Sequence, residues 1–169
     1  MEKITFREPK TNDVKSALEM ISSLVDEKAY ILVQKKPTLK EEKEFWKKLM
    51  KESKEKIRVV SLIDVNGKVY GISDISLVDK EVRKHVGDLG ISLKKEIRGR
   101  GLGEKLLRKI IDKARKELKI EIVTLTAFSK NKVAINLYKK VGFKKLGTIK
   151  KGVSHYGKLM DQDIMVKYI

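Results

Sequence analysis

Cysteine is absent from the 169-residue chain, which excludes disulfides, thiolate zinc sites and a cysteine nucleophile. Glutamine is nearly absent too. No apolar run approaches the length of a membrane span, and the opening MEKITFREPK is charged and amphipathic, unlike a signal peptide. The chain has no internal repeat, low-complexity segment or linker. It also lacks an arginine-rich tail and any alternation of aromatic with basic residues, and so offers no RNA-reading motif. These absences lead to the expectation of one domain over residues 1–169, in the cytoplasm, large enough to bury a proper core.

What is present is charge. Charged residues make up 37% of the chain, mostly Lys and Glu, against 41% hydrophobic, and the formal net charge is +17. The Lys/Glu richness is thermophile-like. The positive balance suits anionic partners such as nucleotides, a ribosome, nucleic acid or an acidic protein. It equally suits lysines that solvate helix faces, as in KKLMKESKEK.

Periodicity orders the elements. Ile4 to Phe6 alternate as a first strand ending at Pro9. Asn12 or Asp13 then caps a helix with Val14, Ala17, Leu18, Ile21, Leu24 and Val25 on one face. AYILVQKKP reads as loop with some helix. Thr38 and Glu41 form a capping box ahead of a helix buried through Leu39, Phe45, Trp46 and Leu49. IRVVSLIDVNGKVYGISDISLV is a hairpin turning at Asn66-Gly67. VGDLGISL is a further strand, followed by a helix from about Gly101 to Leu118 with Leu102, Leu106, Leu107, Ile110, Ile111, Ala114 and Leu118 as its core stripe. KIEIVTLTA is a buried strand, NKVAINLYKKVGF a short helix stopped by Gly142, and FKKLGTIK and DQDIMVKYI are the last strands. The order β-α-α-β-β-β-α-β-α-β-β is an α/β fold on a mixed sheet.

The stretch IRGRGLGEKLL, between strand and helix, has the composition of a phosphate site. It fails the dinucleotide fingerprint G-x-G-x-x-G and the P-loop pattern. It fits R-x-x-G-x-G, from Arg98 through Gly101 to Gly103. First-turn amides of a helix lack partners within it and, with the helix dipole, attract anions. Gly101 and Gly103 let a pyrophosphate approach the backbone, and Arg98 and Arg100 add charge at the rim. A second constellation follows one helix and one strand later: Asn131, Ala134, Leu137 and Tyr138 at helical spacing, then Gly142-Phe143.

On these two motifs, in this order, the sequence resembles the GNAT superfamily of N-acetyltransferases, nearest in pattern to the phosphinothricin, polyamine and ribosomal-protein acetylating branches. RGRGLG matches its acyl-CoA motif, and Asn131 to Phe143 matches its second motif in full. The resemblance implies a mixed, mostly antiparallel sheet flanked by helices. It implies transfer of acetyl from acetyl-CoA to a primary amine by direct attack in a ternary complex, with no metal. The pyrophosphate would lie on the amides of Arg98, Gly99, Arg100, Gly101, Leu102 and Gly103. Ile91 and Leu93 would offer backbone to the pantetheine, and the Leu93 amide would be the oxyanion donor. Asn131 would touch the cofactor arm, and Tyr138 would protonate the departing thiolate or hold it by a hydrogen bond.

For the base, Thr126 stands where some protein-acetylating members carry a glutamate. The phosphinothricin and polyamine branches instead have an acid at the position of Asp88. Asp88 is therefore the candidate base through water, with His155 as an alternative proton carrier and Tyr156 beside it on the acceptor side. Acceptor choice in the superfamily comes from segments that here are Asp26–Pro37 and Lys150–Leu159, and neither carries a readable signature. The acceptor is expected to be a peptide N-terminus or a small amino compound. A homodimer, a non-catalytic acyl-CoA sensor, and a basic ribosome- or nucleic-acid-binding module on the same fold stay open.

Overall fold

The structure is a computed structural model describing residues 2–169. Its seven strands are β1 (Ile4–Arg7), β2 (Arg58–Val65), β3 (Lys68–Leu77), β4 (Val86–Leu93), β5 (Ile122–Phe128), β6 (Lys144–His155) and β7 (Lys158–Tyr168). They form one sheet in the order β1-β2-β3-β4-β5-β7-β6. The helices are α1 (Val14–Asp26), α2 (Leu39–Lys54), α3 (Leu102–Leu118) and α4 (Lys132–Val141). The expected element order and sheet type are both found. No helix among the described residues is long and apolar enough to cross a membrane.

One face of the sheet is sealed by α3. Leu107, Ile110 and Ala114 are fully buried there against Ile75, Val123, Leu125 and Met165, and Leu106 against Ile63, Val65 and Ile97. Each such leucine contributes about 1.5–3 kcal/mol by leaving water. The other face receives α1 and α2, where Ala17, Met20, Trp46 and Leu49 pack on Val60, Leu62 and Val69. Thr38 and Glu41 close the capping box as expected. The β2–β3 turn is at Asn66-Gly67, both with positive φ (53° and 84°), as a two-residue hairpin loop requires.

Three expectations are corrected. Leu39 and Phe45 are 37% and 48% exposed; they flank the α2 stripe rather than belong to it, because Glu42, Trp46 and Leu49 are the positions that face inward. AYILVQKKP contains no helix. The last two strands are longer than their apolar cores and reach almost to the turn at Tyr156-Gly157, with irregular pairing near Gly147 and between Ile149 and Val153.

What positions the site is a break in pairing. β4 and β5 are parallel neighbours, paired only at Val86–Ile122, Gly87–Val123 and Asp88–Thr124. Beyond Asp88 they part, while β5 stays paired with β7 throughout. The bonds Val78 N–H to Val86 O and Lys94 N–H to Tyr70 O fix which β4 residues face β3, namely the even-numbered ones. Backbone groups of Leu89, Ile91 and Leu93 therefore turn toward the gap.

Candidate functional site

A cavity of about 510 Å³ opens at this gap. One wall is Ile91, Ser92 and Leu93 of β4, the loop residues Arg98, Gly99 and Gly101, and the start of α3; α4 closes it with Asn131, Val133, Ala134, Leu137 and Tyr138. The opposite wall is Leu24 of α1 with Ala29, Tyr30 and Ile31 of the following loop. The sequence-predicted residues Ile91, Leu93, Arg98, Gly99, Gly101, Gly103, Asn131 and Tyr138 are thus brought together.

The loop chemistry follows from backbone conformation. Gly99 and Gly101 have φ of 72° and 73°, and a Cβ at either would meet nothing within 4 Å. Glycine serves here for its left-handed backbone, and the space above both is open. No protein acceptor among the described residues receives the N–H groups of residues 99–104, and these amides open α3 at its positive dipole end. Gly103 differs: its Cβ would lie 3.0 Å from Leu93 and 3.1 Å from Leu137, so it lets α3 close against β4 and α4.

Of the two rim arginines the sequence suggested, Arg98 lines the cavity and Arg100 does not. Arg98, although exposed, folds back onto the strand end, donating from Nε (2.9 Å) and Nη2 (2.7 Å) to the Leu93 carbonyl, and pairs with Glu27. Arg100 reaches Glu2 at 2.5 Å and is not part of the cavity wall. Leu102 is buried with Ile63 and Ile97, so only its backbone can serve a ligand. Asn131 caps α4, its Oδ1 accepting from Ala134 N–H at 3.2 Å, which leaves its amide nitrogen for the cavity. Tyr138 is 7% exposed, its hydroxyl has no hydrogen-bond partner among the described residues, and burial pushes its pKa up to about 12. At neutral pH it is a proton donor.

Asp88 lies outside the cavity wall, at the last paired position before the strands part. Asp88 is an exposed residue, but partial desolvation of its carboxyl by the surrounding protein raises its pKa, against the Thr124 hydroxyl and the Arg58 charge, which lower it. Asp74 stands on the adjacent strand with its pKa also raised, by burial first, while Arg58 at 2.5 Å opposes the shift. His155 is no surface histidine. Half-buried at the end of β6, it stacks with Tyr30 and Phe128 (each 5.3 Å) and with Tyr156 (4.7 Å). Its Nε2 lies 3.2 Å from the Ala29 carbonyl. Gln34 completes this contact, donating to Ser154 O and accepting from Tyr156 N–H. Sequence reading missed Tyr30 and Phe128 as members of the site. Tyr30 falls in the Asp26–Pro37 segment already suspected of acceptor binding, whereas Phe128, at the end of β5, carried no such signal.

Known proteins agree with this geometry. The sequence model described as the acetyltransferase (GNAT) family matches residues 21–143. An L-amino acid N-acetyltransferase of Escherichia coli (strain K12), AaaT, is 33% identical over 103 residues, or 61% of this chain. The match spans only 64% of that relative's length. An acetyltransferase of the GNAT family from Streptococcus pneumoniae superposes with a TM-score of 0.87 over 99% of this chain and all of its own, at 26% identity. An acetyltransferase fold from Salmonella typhimurium, solved with acetyl-CoA, has a TM-score of 0.85 at 19% identity, covering 98% of this chain and 94% of its own. Because the family match takes in well over half of the sequence and runs through both glycine-bearing motifs, the chain belongs to the acetyltransferase (GNAT) family.

Proposed function

We propose that the protein, as one domain over residues 1–169, transfers the acetyl group of acetyl-CoA to a primary amine. The observation that carries this is the gap between β4 and β5 opening beside a glycine loop of unpartnered amides, with the Tyr138 hydroxyl in the same cavity. These residues fit acetyl-CoA: an anion cradle stands at one end and gap-facing strand backbone at the other. The cofactor supplies an activated acetyl thioester. Amides from Gly99 to Gly103 would hold the pyrophosphate, with Arg98 assigned elsewhere, and the backbone of Ile91 and Leu93 would hold the pantetheine. The Leu93 N–H donates to the thioester oxygen as charge grows there, a contribution of about 3 kcal/mol to the barrier. The Tyr138 phenol gives its proton to the leaving sulfur. Asp88, through water, takes the proton of the incoming ammonium.

The acceptor is a small amino compound or a peptide N-terminus. The name of the E. coli relative makes L-amino acids the first class to test. Its wall is the Tyr30–Phe128–His155–Tyr156 cluster, and the net charge of +17 favours an approach from anionic surroundings. The test is calorimetric titration with acetyl-CoA, then thiol release over a panel of amino acids, spermidine, aminoglycosides and short peptides. Binding with release for one amine class supports the reading. Binding without release from any amine would favour an acyl-CoA sensor.

A further inference from the structure

We infer that Glu27 is a positioning residue that acts through Arg98, tying the acceptor-side wall to the strand end that receives the cofactor arm; this rests on the acetyl-transfer reading. The chain of contacts is direct. The carbonyl of Leu93 ends β4 on the side turned to the gap, where β5 offers no partner. Arg98 satisfies it twice, through Nε and Nη2. The remaining edge of the guanidinium meets the Glu27 carboxylate, with Nη1 3.3 Å from Oε2 and Nη2 against Oε1. Glu27 is itself fixed as the residue that ends α1, its N–H bonded to Ser23 O at 3.1 Å. Ala29, Tyr30 and Ile31, which line the opposite wall, follow at once.

Two consequences follow from guanidinium chemistry. Its planar fork can hold a carbonyl and a carboxylate together, which a lysine ammonium cannot do with the same geometry. With its charge matched by Glu27, Arg98 is also a poor ligand for phosphate, since the carboxylate would repel the anion. Arg98 therefore sets the position of Leu93, and Glu27 sets the position of Arg98. Movement of the residue 27–34 segment is transmitted to the gap-facing backbone of Leu93.

The test compares wild type, Glu27→Gln and Arg98→Lys by calorimetry with acetyl-CoA and by amide hydrogen exchange. Both side chains of the pair are partly exposed, at 37% and 25%. Glu27→Gln is therefore expected to weaken acetyl-CoA binding only about two- to fivefold, with faster exchange in residues 27–34 and 89–98. Arg98→Lys, which forfeits both bonds to Leu93, is expected to weaken binding about tenfold. If Arg98 were instead a phosphate ligand held back by Glu27, Glu27→Gln would tighten binding and Arg98→Lys would keep most of it. Either result overturns the inference, as does unchanged exchange in both variants. A wild type that fails to bind acetyl-CoA would defeat the functional reading, while the exchange comparison would still decide whether the clamp exists.

Discussion

The two walls of the cavity are assembled in different ways. The wall proposed for the cofactor is a run of chain from Ile91 through the glycine loop into α3, closed by α4. The wall proposed for the acceptor joins the segment after α1 to the tip of the β6–β7 hairpin through Gln34 and Ser154, 120 residues apart. The first wall is made mostly of backbone: amides left free by helix geometry and strand groups left free by lost pairing. The second is made of side chains: Tyr30 lines the cavity and is backed by Phe128 and His155, with Tyr156 joined to the cluster through His155. Backbone recognition suits an invariant ligand such as a pyrophosphate. A side-chain wall can be altered residue by residue without disturbing the strand end and helix start opposite.

This contrast gives separable outcomes when either wall is changed. Gly101→Val should have the largest effect, weakening acetyl-CoA binding on the order of 10³-fold, as charge-assisted contacts to the loop are lost. Valine is strained at the left-handed φ of 73°, but the position is in an exposed loop with open space above it, so circular dichroism should report a retained fold while the loop amides lose their arrangement. Tyr138→Phe should lower kcat about a hundredfold with little change in cofactor affinity; full turnover would remove its role as proton donor. Tyr30→Ala should raise the acceptor KM about tenfold and leave that for acetyl-CoA unchanged, and an equal effect on both would erase the distinction between the walls. Asp88→Asn should slow turnover about tenfold, by way of the intervening water. In wild type the acidic limb of kcat/KM should lie above the ordinary aspartate range, since partial desolvation raises this pKa, and the variant should lose that limb.

The smallest effect on catalysis belongs to a group that holds the hairpin. Asp163 is 3% exposed, and although burial alone would raise its pKa, hydrogen bonds from Lys145, Ser129 and Thr148 bring it down to about 2. A depressed folded-state pKa stabilises above the unfolded value, so this contribution is complete above about pH 4 and fades as pH falls toward about 2. Its size is about 2 kcal/mol. Asp163→Asn should lower the urea midpoint at pH 7 and narrow the difference between pH 7 and pH 2.5, leaving cofactor affinity intact.

The same contrast explains what the sequence could tell. Gly99, Gly101 and Gly103 sit within one loop and the helix start it leads into, and Asn131 to Phe143 within one helix and its exit, so local pattern picked out residues that line one side of the cavity. The strand boundaries of β4 and the core stripe of α3 were legible for the same reason, as each rests on a short period. Where Arg98 and Arg100 point was not legible, because Glu27 and Glu2 lie far away in sequence. Nor was the burial of His155, which depends on Ala29 and Tyr30 of the loop after α1 and Phe128 of β5 arriving from two other parts of the chain. Leu39 and Phe45 misled because an apolar side chain on a helix shoulder has the same letter as one on its inner face.

The most direct test of the central claim is a calorimetric titration of the wild-type protein with acetyl-CoA, run beside Gly101→Val and Tyr30→Ala under identical conditions. The account predicts binding by the wild type and by Tyr30→Ala, and its loss in Gly101→Val alone. Undiminished binding by folded Gly101→Val, or no binding by the wild type, would contradict the assignment of the glycine loop as the cofactor cradle.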